Sequence, residues 1–185
     1  MLLLVNGETV APMEVEREYR RLEALWRERG APEALDAQRP ALMRQALDHA
    51  IGRRLLLQEA RRQDLKVSEV ELKAVLRQLG ETESVTEDVR RRLEEALLVE
   101  KIVQALTAKV AEPGAEEVSF FRAQHPEFFS GTQALETERS DATVRYLHAQ
   151  KRNQALDAFV AQLRRAALIE TAAVPAAEDA APASD

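Results

Sequence analysis

The sequence predicts an all-α fold of about six helices with a small β element, and three observations carry that expectation. Ala (31) and Leu (24) dominate a 185-residue chain that is 45% apolar but only 4% aromatic, the alphabet of strong helix formers. Six Gly and seven Pro are too few for an all-β protein, which turns about every ten residues. Long stretches place apolar residues at steps of three and four, the period of one helix face. The length suits one ordinary domain and is enough to bury a core.

Leu2 to Val5, Asn6-Gly7 and Glu8 to Val10 read as a short hairpin, because Asn-Gly supplies the two positive-φ positions of a type I′ turn. Pro12 suits the first turn of a helix, where its missing N–H has no partner to lose. Val15, Tyr19, Leu22 and Trp26 then form one stripe on a first helix that Gly30-Ala31-Pro32 ends. A second helix is expected from near Pro40 to about Gln63, with Met43, Leu47, Ala50 and Leu57 on one side and Ile51 and Leu55 beside them. So wide a stripe belongs to a helix with more than one neighbour.

Ser68-Glu69-Val70-Glu71 fits a capping box opening a third helix, which carries Val70, Leu72, Val75, Leu76 and Leu79 and stops at Gly80. Ser84 to Glu87 offers a second box for a fourth helix, running to about Ala111. Glu112-Pro113-Gly114 breaks it, and a short fifth helix spans roughly Ala115 to Gln124. Ser130 to Ser140 reads as a polar linker. A last helix follows from about Asp141 to Ala167, with Val144, Leu147, Leu156, Phe159, Val160 and Leu163 along one stripe. Leu168 to Thr171 is a strand candidate able to pair with the hairpin, which is marginal alone. Residues 171–185, rich in Ala, Pro and acid, hold too little apolar surface to offset ordering and are expected to be disordered.

Several chemistries have no residues to carry them. Without Cys there is no disulfide, thiolate site or thiol nucleophile. His49, His125 and His148 lack metal-ligand spacing, and no Gly-rich phosphate loop or Gly-x-Ser-x-Gly elbow is present. Catalytic, cofactor and metal residues are accordingly expected to be none. The net charge of −6 does not attract nucleic acid, and Arg90-Arg91-Arg92 spreads round a helix because successive residues point about 100° apart. Glu170, Glu178, Asp179 and Asp185 carry four of the 32 acidic charges, so residues 1–169 hold 26 basic against 28 acidic groups. No segment reaches the roughly eighteen apolar residues of a membrane span, and the short run Leu2 to Val5 lacks the form of a signal peptide. The expectation is a cytoplasmic protein as the sequence stands, or an extracytoplasmic one if a leader has been removed.

Three stretches bring a family into view. The first comprises Val5 to Glu8 with the charged helix after it, Ala46-Leu47-Asp48-His49-Ala50-Ile51-Gly52-Arg53-Arg54-Leu55 to Ala60, and Leu65-Lys66-Val67-Ser68. The second is Leu98 to Ile102 through Pro113, then Glu116 to Val118 and His125-Pro126-Glu127-Phe128-Phe129. The third is Lys151 to Glu170. In this order they resemble the N-terminal chaperone domain of the SurA- and PrsA-like parvulin-type foldases, with the helix and strand that return to that domain. The resemblance implies a helical chaperone domain over residues 1–170, with 1–129 closed by the helix at 141–167. In place of the family's parvulin isomerase domain stand the eleven residues of the linker, 130–140, so no isomerase residue carries over.

The function implied is the holding of unfolded or nascent polypeptide clients in an apolar helical groove, without catalysis and without nucleic acid or membrane insertion. A homodimer stays open as an assembly state. An isomerase-related foldase and a dedicated maturation or assembly factor for one protein partner stay open as alternatives. The candidate client contacts are Leu25, Trp26, Met43, Phe128 and Phe129, mostly apolar groups at helix ends where burial is often incomplete.

Overall fold

The computed structural model describes residues 2–29, 35–80, 85–126 and 136–172, with the side chains of 136–140 excepted. Among them are six helices and three short strands: β1 (Leu2–Val5), β2 (Glu8–Val10), α1 (Pro12–Glu28), α2 (Leu35–Arg62), α3 (Glu69–Gln78), α4 (Glu87–Thr107), α5 (Ala115–Gln124), α6 (Glu136–Ala166) and β3 (Ile169–Ala172). They fall into two compact units, one within Met1–Leu55 and Leu163–Asp185, the other within Leu56–Gln162. The division lies inside α2 and inside α6.

In the first unit the hairpin forms as its sequence dictates. Asn6 and Gly7 take φ of 51° and 81°, and β1 pairs antiparallel with β2 in the register Leu3 to Val10 and Val5 to Glu8. β3 completes an antiparallel sheet of order β2-β1-β3, with Val5 opposite Ile169 and Leu2 opposite Ala172. Period-2 alternation turns Leu3, Val5, Val10 and Ile169 to one face, where they meet Ala50, Ile51 and Leu55 of α2 and Leu163 and Ala167. Arg54, its side chain only 12% exposed, donates Nη2 to Glu14 at 2.7 Å and lies 3.4 Å from Glu8, tying α2 to α1 and the hairpin.

Four boundaries differ from expectation, one being the end of α4 at Thr107, short of the expected Ala111. α2 begins at Leu35, and Pro40 sits inside it. A proline here removes one backbone bond, whereas Leu35 gains packing on Tyr19, Leu22, Leu42 and Ala46, and Arg39 Nε donates to the Tyr19 hydroxyl at 3.3 Å. α4 starts at Glu87 with Thr86 as its N-cap, whose hydroxyl accepts from Val89 N–H, whereas Ser84 of the expected box lies outside the described residues. α6 begins at Glu136, which makes the last five residues of the proposed linker helical. The tail expected to be disordered from residue 171 starts later than that, because Thr171 and Ala172 belong to β3 and pair with Leu3 and Leu2; residues 173–185 lie outside the described residues.

In the second unit, α2 ends on Asp64 at φ 55°. Leu65 N–H reaches Ala60 O and Asp64 N–H reaches Arg61 O, a Schellman closure around a residue other than glycine. The Ser68–Glu71 capping box forms as read, opening α3. Lys101 of α4 then donates Nζ to Glu71 at 2.9 Å and to Lys66 O at 2.6 Å. The lysine and the two cap bonds hold the Glu71 carboxyl down at about 2. α5 repeats the arrangement, because Glu117 accepts from Gly114 N–H at 2.8 Å and from Lys151 of α6 at 3.0 Å, which lowers its pKa too. α6 therefore packs with α5, where Phe121 also meets Tyr146 with ring centres 5.4 Å apart.

Candidate functional site

The row Val15, Tyr19, Leu22 and Trp26 on α1 meets Leu35, Leu42 and Ala46 on α2. Spacings of three and four on both helices align these rows, and Tyr19, Leu22, Leu42 and Ala46 are buried. Trp26 is half-buried at the border of this cluster. Leu25, one residue before it, is 41% exposed, and Met43, one residue after Leu42, is 40% exposed. Leu47, one turn on from Met43, is exposed as well. The seam thus has a closed centre with apolar side chains left in water beside it on both helices.

The structure describes Leu25, Trp26 and Met43 among the expected contacts, whereas Phe128 and Phe129 lie outside the described residues. The stripe expected on α2 runs through Met43 and Leu47, whereas Leu42 and Ala46, outside that stripe, are the residues that face α1. The signal was present in the i, i+4 row of 42, 46 and 50, but an apolar run of several residues supports more than one helix face. Val70 of α3 and its C-cap residue Leu79, expected in a stripe, are exposed, and only Leu72 of that helix is buried.

Charge surrounds the seam. Arg21 Nη2 lies 3.0 Å from Glu18, and His49 Nδ1 lies 3.7 Å from the same carboxylate. The bond to Tyr19 raises the Arg39 pKa further, so this guanidinium stays charged. Among the described residues no group of three or more His, Asp or Glu is placed to hold a metal ion. His148 instead places Nε2 3.2 Å from Val110 O, and His125 stacks on Phe121 with ring centres 4.5 Å apart. No described helix is long and apolar enough to cross a membrane.

A helical seam with apolar side chains left in water, bordered by ion pairs, is a surface able to hold another chain by burial. In the family comparison, residues 2–89 match the model of the SurA-like N-terminal domain, just under half of the chain. This stretch contains the hairpin, α1, α2 and α3, and with them Leu25, Trp26 and Met43. The match supports a chaperone-type role of the SurA family. No curated protein matches the chain.

Proposed function

We propose that this protein is a SurA-like chaperone that holds unfolded or partly folded polypeptides by burying their apolar segments against the α1–α2 seam, with no covalent step. The observation that carries the reading is the exposure of Leu25 on α1 and of Met43 and Leu47 on α2, the helices whose seam half-buries Trp26, within the stretch that matches the family. At about 25 cal/mol per Å² of apolar surface, a contact of a few hundred Å² offsets the cost of association by only a small margin. Such holding is weak and reversible, and discriminates little between clients.

Trp26 is the only tryptophan in the chain, so it reports its own surroundings. A tryptophan-free unfolded client is expected to shift Trp26 emission to shorter wavelength and to aggregate less, by light scattering, when the protein is in molar excess. Met43→Lys with Leu47→Lys should abolish both effects while the melting temperature changes little. Unchanged aggregation with the native protein counts against the reading, and co-purification of one stoichiometric protein would instead indicate a dedicated assembly factor.

A further inference from the structure

Among the described residues the sheet is open along β3. A two-residue hairpin makes the residues beside its turn a hydrogen-bonded pair, so Val5 and Leu3 direct their N–H and C=O groups to β2. Leu2 and Leu4 therefore direct theirs to β3. The alternation continues in Asn6, whose N–H donates to Leu168 O at 2.8 Å while its side-chain oxygen accepts from Leu168 N–H at 2.9 Å. Opposite Leu4 and Leu2 stand Glu170 and Ala172, whose backbone groups are thereby used. The N–H and C=O groups of Ile169 and Thr171 point the other way, and among the described residues no strand lies beyond β3. The opposite edge offers less, since β2 turns only Thr9 outward before Pro12 opens α1.

Charge selects the occupant. The row across the outer sheet face is Thr9, Leu4 and Glu170, with no cation in it, and Glu170 is exposed with no ion pair among the described residues. A second copy pairing antiparallel through Ile169 and Thr171 would set two Glu170 carboxylates opposite each other at about 5 Å, a destabilising like-charge pair. A strand with Lys or Arg at that position gains an ion pair instead. Its neighbours on either side would point to the face where Ile169 packs, which suits Val, Ile or Thr.

We propose that the β3 edge is a second polypeptide-binding site, which takes an extended segment carrying a basic residue between two β-branched ones as a fourth strand. Recognition runs through the main chain of Ile169 and Thr171, with Glu170 selecting the basic residue. This site is independent of the α1–α2 seam.

The experiment titrates the full-length protein into a fluorescein-labelled, tryptophan-free peptide of alternating valine and threonine with one central lysine, read by anisotropy. Replacing that lysine by glutamate should weaken binding about tenfold, and Glu170→Lys should reverse the preference. Thr171→Pro removes an outward N–H without touching the β1 ladder and should weaken binding about tenfold, whereas Thr171→Val should not. Methylating alternate peptide nitrogens should abolish binding to the unaltered protein, a result that does not depend on how any variant folds. No binding, or binding indifferent to charge and to methylation, overturns the proposal. Self-association of the native chain that Thr171→Pro abolishes would make the occupant a second copy, and binding seen only after residues 173–185 are removed would make it this chain's own C-terminal segment; either result overturns it. The Met43→Lys, Leu47→Lys protein should still bind the peptide, so failure at the seam and failure at the sheet edge are read separately.

Discussion

In the first unit Val5, Val10, Ala50, Ile51 and Leu55 close an apolar cluster beneath the sheet, whereas in the second unit two joints between helices run through Glu71–Lys101 and Glu117–Lys151. The second unit has buried apolar residues of its own, Leu56, Leu57, Leu72, Leu98, Ile102 and Val118 among them, but all the buried polar residues described, Glu59, Thr107 and Thr143, lie there too. The difference lies in how each unit fixes its helices. A packed cluster gains from every apolar contact and responds little to pH. A third-position glutamate that closes its own helix cap is already oriented when a lysine from a later helix arrives, so one carboxylate serves both local and tertiary structure. α3 and α5 use the same device, and both depend on an ionised carboxyl.

The strongest test of this contrast is Ile51→Ala, which opens a cavity between α2 and the sheet. It should cost about 2–5 kcal/mol by urea unfolding, by a similar amount at neutral and acid pH. Arg54→Met comes next, because it leaves Glu8 and Glu14 without their shared partner beside a nearly buried position. With both carboxylates partly exposed, about 1–2 kcal/mol is expected, and high salt should narrow the difference.

Acid unfolding sharpens the comparison. The Glu71 carboxyl is lowered from its ordinary 4.5 to about 2, so its stabilising contacts are complete above pH 4.5 and are lost as pH falls toward 2. Glu71→Gln should therefore flatten that part of the stability curve, and Glu117→Gln should do so in the same direction. If the native protein and Glu71→Gln lose stability in parallel across this range, the contrast between the units fails. The smallest effect belongs to Val70→Ser. This side chain is 77% exposed, so the unfolding midpoint should move by less than the equivalent of about 0.5 kcal/mol.

Features that arise within a few residues were readable in the chain itself. The Asn6-Gly7 turn, Pro12 at a helix start, the Ser68–Glu71 box and the bounds of α5 each rest on local backbone chemistry. The start of α2 was not, because Pro40 is a local signal overruled by contacts of Leu35 and Arg39 with residues of α1. The candidate contacts were partly readable. Leu25 and Trp26 stand near the end of α1, but whether Met43 or Leu42 faces α1 depends on the rotation of α2 about its axis.

The sequence by itself determined the helical class, the hairpin, the strand that returns to it and the capping box of α3, because propensity, turn geometry and capping act over a few residues. Only the tertiary structure decided which of several apolar residues on α2 are covered, that Lys101 and Lys151 complete the caps of other helices, and that no described strand lies beyond Ile169 and Thr171. Those outcomes depend on groups far apart in the chain, and a local pattern compatible with several faces or partners does not choose among them.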